Sequence, residues 1–133
     1  MVDKANGYWS SGEKRIAFAE WAGNYRWVEE PTASPDGETV AAIVNIDEGE
    51  FSVCTNGKQW ESVFDKAWHL RFTPAGRLFA IVSEMGEWTV AVDAAAWETK
   101  FGYVWNPIFS DSGETIAVAI QQDMQYGLSL IHI

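Results

Sequence analysis

Two markers recur in step along this chain, and together they require an array of like units. Trp60-Glu61-Ser62-Val63-Phe64 returns as Trp97-Glu98-Thr99-Lys100-Phe101 and stands earlier, in weaker form, as Trp21-Ala22-Gly23-Asn24-Tyr25, with steps of 39 and 37 residues. Ser34-Pro35-Asp36-Gly37, Thr73-Pro74-Ala75-Gly76 and Ser110-Asp111-Ser112-Gly113 keep the same two steps. A period near 40 residues is the length of one supersecondary unit, and such a unit buries its apolar faces only against its neighbours.

The content of each unit is strand and turn. In the first, Ser34-Pro35-Asp36-Gly37 is turn chemistry, with proline setting φ and glycine supplying a conformation that side chains oppose. Residues 38–44 form an apolar, partly β-branched run of strand length, and the acidic stretch 45–50 reads as a loop. Residues 51–54 alternate as a second strand, Asn56-Gly57 signals a two-residue hairpin, and Gln59 to Phe64 reads as the return strand. Side chains alternate along a strand, so Trp60, Ser62 and Phe64 fall on one face. The second unit repeats this with strands at 77–82, 88–92 and 97–101. There Asp93-Ala94 replaces Asn-Gly, a poorer turn that predicts a longer or strained corner. The run Ala94-Ala95-Ala96 favours helix by propensity alone, but the markers on either side leave it no helical length.

A further strand precedes each turn, at Trp68-His69-Leu70-Arg71-Phe72 and at Trp105-Asn106-Pro107-Ile108-Phe109. Pro107 predicts an edge or a bulge in the second of these. Four short antiparallel strands per period make a propeller blade. The expected fold is therefore all-β: a partial β-propeller of four-stranded antiparallel blades. Its repeats span about 26–65, 66–102 and 103–127 within an incomplete propeller domain 1–127. Residues 15–19 and 21–25 fit the last two strands of another blade.

The eight tryptophans follow the period. Trp21, Trp60 and Trp97 hold one position, and Trp68 and Trp105 a second. Trp88 holds a third, where Phe51 and Tyr126 stand in the neighbouring units; Trp9 and Trp27 fall outside the scheme. Aromatic side chains recurring with the unit are expected in the core between blades, since each buries a large area.

Composition narrows the function classes. A net charge of −10 opposes nonspecific attraction to nucleic acid or anionic lipid. No apolar run approaches 18 residues, and Met1 to Gly7 carries no apolar stretch, so neither a membrane span nor a secretory leader is expected. The single cysteine, Cys54, has no internal partner and fits a reducing compartment.

The last six residues, Leu128-Ser129-Leu130-Ile131-His132-Ile133, are what CTG TCT CTT ATA CAC ATC encodes, a transposase sequencing adapter read in frame. On that reading 128–133 is a non-native tail, the chain is cut near Gly127, and His132 belongs to no site. The alternative is a native strand, with Leu128, Leu130 and Ile131 ending a β-segment. A partial ring leaves a sheet edge of the kind natural proteins cover.

No catalytic constellation emerges. His69 is the only histidine outside the tail, and a lone histidine builds no metal site. Cys54 lies mid-strand with no basic neighbour to lower its pKa, so it is read as a small buried hydrophobe. Asp47, Glu48 and Glu50 cluster in one loop and Asp36 sits in a turn, but their spacing does not converge oxygens as a calcium loop does, so a solvated acidic loop is expected. Iron–sulfur and c-type haem motifs are missing. The reading assigns no catalytic, cofactor-binding or metal residue, no cofactor and no enzymatic activity.

The Gly-His and Trp-Asp pairs of WD40 repeats are missing, and the Ser-Pro-Asp-Gly turn with its apolar strand resembles instead the TolB-like or WD40-like propeller repeat. Residues 50–61 (Glu50 to Glu61), Phe101-Gly102-Tyr103-Val104-Trp105-Asn106 and Gln121-Gln122-Asp123-Met124 resemble a narrower family. It is the tryptophan-rich fourth subunit, TmcD, of the transmembrane electron-transfer complex of sulfate-reducing bacteria. The likeness runs over roughly 9–127. It implies a noncatalytic, cytoplasm-facing accessory subunit, peripheral to the inner membrane, whose partners carry the redox centres: a multihaem cytochrome c, a membrane cytochrome b and an iron–sulfur protein. Trp9 and Trp27 are then the candidate docking anchors. Two other readings stand beside it: the propeller domain of a larger, peptidase-type hydrolase, and a TolB-like protein-binding scaffold.

Overall fold

The computed structural model describes residues 23–132 and, before them, the backbone pairing of β1 (Trp9–Ser10) with β2 (Glu13–Lys14). The strand expected at 15–19 and the tryptophans Trp9 and Trp21 as side chains lie outside the described residues.

Three antiparallel sheets follow one another along the chain. The first has the order β3 (Trp27–Ala33), β4 (Val40–Asp47), β5 (Glu50–Thr55), β6 (Lys58–Gln59). The second has β7 (Lys66–Phe72), β8 (Leu78–Glu84), β9 (Glu87–Val92), β10 (Ala95–Ala96), and the third has β11 (Tyr103–Phe109), β12 (Thr115–Gln122), β13 (Gln125–His132). No described residue is helical, and Ala95 and Ala96 lie in β10. This is a partial propeller: two four-stranded blades and a third of three strands. The run expected as an adapter-like tail lies in β13 as far as His132, with Ile131 opposite Ile116.

The turn signals work as their chemistry predicts. Gly37, Gly76 and Gly113 each have positive φ, and their N–H groups bond the carbonyls of Ser34, Thr73 and Ser110 at 2.8–2.9 Å. The hydroxyls of those same three residues then accept the N–H of Thr39, Arg77 and Thr115. At the far corner of the first blade Asn56 and Gly57 are both left-handed, and the Asn56 side chain accepts the Val40 N–H. Asp93 does the same for Leu78, so the Asp-Ala corner keeps its two-residue length and places Ala94 at φ 74°. Of the two forms expected there, the strained one is present.

The return strands depart from the sequence reading. Gln59 to Phe64 and Trp97 to Phe101 do not pair continuously: only two-residue strands form, followed by single bridges Phe51↔Phe64 and Trp88↔Phe101. Hydroxyls from the neighbouring strand explain the interruption. Ser52 donates to the carbonyls of Trp60 (3.3 Å) and Ser62 (2.7 Å), and Thr89 donates to those of Trp97 (3.3 Å) and Thr99 (2.7 Å). The backbone bulges around a side chain that replaces its lost ladder bonds. The alternation survives: Trp60 and Phe64 are buried while Glu61 and Val63 are exposed.

Packing between sheets makes the core. The middle strands bury both faces, which is why they read as near-continuous apolar runs. Ala41, Ile43, Val53, Trp60 and Phe64 from the first blade meet Ala67, Leu70, Leu78, Ala80 and Val82 of the second. The other face of the second blade, through Phe79, Ile81, Val90 and Phe101, meets Val104, Ile116, Val118 and Ile131 of the third. Of the tryptophans expected in this core, only Trp60 is buried among the described residues; Trp68, Trp88, Trp97 and Trp105 are half-buried and Trp27 is exposed. Trp60→Ala removes the largest side chain of the seam between the first two blades and is expected to cost about 3–5 kcal/mol. Urea unfolding measures this, and a change within experimental error would place Trp60 at the surface.

Candidate functional site

One end of the array carries an aromatic tier that the three blades build in the same way. Each first strand has a register shift at matching places: between Glu29 and Thr32, Trp68 and Arg71, and Trp105 and Ile108. At each shift one residue is left-handed, Glu30 (φ 52°), His69 (φ 53°) and Asn106 (φ 54°). The bulge expected from Pro107 is therefore present, and it belongs to every unit. The start of the strand lies beside the aromatic residue at the second position of the blade's third strand, Phe51, Trp88 or Tyr126.

In the second blade Trp68 stacks on Trp88 with ring centroids 4.9 Å apart, and Tyr103 from the third blade stands edge-on to both at 5.8 and 5.4 Å. Tyr103 stacks in turn on Trp105 at 5.7 Å, and Trp105 meets Tyr126 edge-on at 6.0 Å. In the first blade Trp27 meets Phe51 at 6.3 Å, with the Arg26 guanidinium 5.7 Å from the Trp27 ring centroid. Such pairs each add about 0.5–1.5 kcal/mol beyond area burial. Trp27, read from sequence as outside the repeat, in fact opens its strand where Lys66 and Tyr103 open theirs. Residue type differs at that position from unit to unit, so no sequence marker reveals it. Between Tyr103, Trp105, Gln121 and Tyr126 the tier opens into a surface groove of about 380 Å³.

Above the tier lie the tight turns that join second to third strands. Met85-Gly86 and Asp123-Met124 are left-handed at both residues, the geometry of two-residue hairpins. The Asp65 carboxylate accepts the Met85 N–H at 2.7 Å, and Asp47 accepts the Glu48 N–H at 2.8 Å. Met85 is 93% and Met124 91% exposed, each at a hairpin tip, on successive blades.

The remaining sequence candidates are not brought together. His69 stands edge-on to Trp68 at 6.2 Å. Asp47 faces Arg26 across 3.4 Å in an exposed pair, and Glu48 and Glu50 are exposed beside it. His132 Nδ1 lies 3.2 Å from the Thr115 hydroxyl. Among the described residues there is no group of three or more His, Cys, Asp or Glu able to hold a metal ion. No helix among them is long and apolar enough to cross a membrane.

Cys54 has one partner that sequence reading missed. Burial raises its thiol pKa, while hydrogen bonds from Tyr25 and from the Gly57 backbone pull the other way. The Tyr25 phenol is pushed up to about 12, first by burial and then by its hydrogen bond to Cys54. Tyr25 packs with Val28, Val40 and Ile46 against Ala42, Val44 and Cys54, on the face of the first blade turned away from the second.

No family model matches the chain, and no curated protein matches it. Among solved structures, the crystal structure of TolB from Acinetobacter baumannii superposes with a TM-score of 0.54 at 17% identity, over 77% of this chain and 29% of that one. The fold is thus TolB-like, and this chain spans under a third of that structure's length.

The Tyr25 phenol titrates higher in the fold than its ordinary value of 10.0, so the stability it contributes is complete below pH 10 and is lost as pH rises through about 12. Urea unfolding at stepped alkaline pH is expected to show a fall that Tyr25→Phe reduces. Identical pH profiles for the two proteins would contradict the burial of this hydroxyl.

Proposed function

We propose that this chain is a noncatalytic protein-binding scaffold, and that it docks the electron-carrying subunits of a membrane-associated respiratory complex from the cytoplasmic side. The observation that carries the scaffold reading is the row of rigid hairpin tips above the aromatic tier. Met85 and Met124 project from turns fixed by left-handed backbone, and exposed methionines on a firm base make an adaptable apolar contact. Their backbone costs little further entropy on binding, because the turns are already set. The TolB-like fold supports the same reading, since propeller ends present such loops as a surface. The choice of a redox complex rests on the resemblance of residues 50–61, 101–106 and 121–124 to the tryptophan-rich subunit family. The iron–sulfur protein and the cytochromes are the partners that this resemblance names.

Met85 and Met124, with the acidic residues next to them in their turns, Glu87 and Asp123, set the chemistry of a fitting partner: apolar contacts rimmed by lysine or arginine. With a net charge of −10, association is expected to weaken as salt rises. Surface plasmon resonance of the chain against the purified iron–sulfur and cytochrome subunits tests this. Saturable binding is expected, weakened about tenfold or more by the double substitution Met85→Asp, Met124→Asp. Absence of binding to every subunit would end the redox assignment, and binding untouched by the double substitution would move the docking surface elsewhere.

A further inference from the structure

The second-to-third-strand hairpins of the three blades share a length but not a chemistry. Register closes each on two residues: Asp47 opposes Glu50 around Glu48-Gly49, Glu84 opposes Glu87 around Met85-Gly86, and Gln122 opposes Gln125 around Asp123-Met124. Glycine, asparagine and aspartate suit such turns, because the backbone there is left-handed. Two of the three tips carry a methionine instead. Met85 takes the first position at φ 52°. Met124, at φ 64°, takes the second position, which Gly49 (φ 69°) and Gly86 (φ 83°) fill in the other blades. A side chain in that conformation crowds the following carbonyl oxygen, and methionine has no local hydrogen bond to offset the strain. Neither residue gains burial in exchange, since Met85 is 93% and Met124 91% exposed. Strain kept without packing points to a contact made outside the chain.

The same exposure sets the reactivity of the two sulfurs. A thioether takes an oxygen atom from a peroxide where solvent reaches it. The remaining sulfur among the described residues competes poorly: Cys54 is wholly buried, and burial raises its thiol pKa, which keeps it from the reactive thiolate form. Both methionines also lie outside the seams between blades, so an added oxygen opens no cavity and buries no polar group within the fold. Chemistry at the tips is therefore separable from stability.

We propose that Met85 and Met124 form an oxidation-controlled contact: hydrogen peroxide converts both thioethers to sulfoxides, and the docked partner is released. A sulfur lone pair attacks the peroxide, the O–O bond breaks as the S–O bond forms, and the second oxygen leaves as water. Each sulfur loses two electrons and each peroxide gains two. A thiol-dependent methionine sulfoxide reductase restores the thioether; two thiols become a disulfide and the oxygen leaves as water. The sulfoxide is polar and stands where an apolar side chain met the partner, so the cost of stripping its water opposes docking. This control rests on the docking reading above and adds the chemistry that switches it.

The test uses the 133-residue chain. It is treated alone with hydrogen peroxide, the peroxide is removed with catalase, and peptide mass mapping reads the sulfoxides. Oxidation of Met85 and Met124 is expected at a rate close to that of free methionine, with the urea midpoint unchanged. Surface plasmon resonance against the purified iron–sulfur and cytochrome subunits then compares the chain before and after treatment. Affinity is expected to fall about tenfold or more on oxidation, and to return after reduction by methionine sulfoxide reductase with a thiol reductant. For the double substitution Met85→Leu, Met124→Leu, whatever its starting affinity, the value is expected to be the same before and after peroxide. Binding by the untreated chain that full oxidation leaves unchanged would overturn the control and keep the docking reading. Absence of binding by the untreated chain would overturn both. A loss of affinity that the leucine chain shares would place the sensitive group elsewhere and overturn the proposal. Affinity that stays low once mass mapping shows both sulfoxides reduced would also overturn it.

Discussion

Everything in this structure depends on sheets that are apolar on both faces. A strand such as β8, buried from Leu78 to Ser83, cannot belong to a sheet with a solvated side, and so it needs a neighbouring sheet in front and another behind. The turns, the bulges and the hydroxyl bridges exist in forms that let identical sheets meet at both faces. Burial of each Val, Ile or Phe in a seam contributes about 1.5–3 kcal/mol. A blade removed from its neighbours exposes two such faces and keeps little to hold it folded.

Much of this was legible in the residues. The markers at 34–37, 73–76 and 110–113 located every first-to-second-strand turn because a Ser or Thr hydroxyl and a glycine three residues on act locally, whatever surrounds them. Asn56-Gly57 gave a hairpin for the same reason, and the spacing of Trp60 and Trp97 gave the unit length. The alternation that placed Trp60 and Phe64 inward held even though the strand they were assigned to breaks into pieces. That break was not legible. It depends on Ser52 and Thr89 reaching carbonyls 8 to 10 residues away, and a serine in a strand carries no local signal of what it will bond.

The recurring left-handed residue was missed for a different reason. Glu30, His69 and Asn106 share a backbone conformation and a spacing but no side-chain type. Proline follows two of the three, at Pro31 and Pro107, which was the available clue. Trp27 was misplaced through the same blindness: its equivalents are Lys66 and Tyr103, so residue identity hid a shared position. The Tyr25–Cys54 contact joins residues from different units and was beyond reach of any repeat pattern. The tryptophans were read as core because of their size, yet smaller side chains fill most of each seam and the indoles gather mainly in the tier at its end. Large flat rings suit a place where one edge is dry and the other wet.

The functional reading follows from this division of labour. Seams built from Val, Ile, Ala and Phe hold the array together, which leaves the hairpin tips and the aromatic tier as the surfaces whose chemistry is free to serve partners. The claim at the centre is that stability comes from the seams and grades along the array with them. Native-state hydrogen exchange measures this directly. The account predicts slowest exchange in β8 and β9, which are packed on both sides, and exchange at least tenfold faster in β13, whose outer face is bare. Equal protection of β13 and β8 in dilute monomer would contradict it, because strands would then be held by their own sheet rather than by the blades around it.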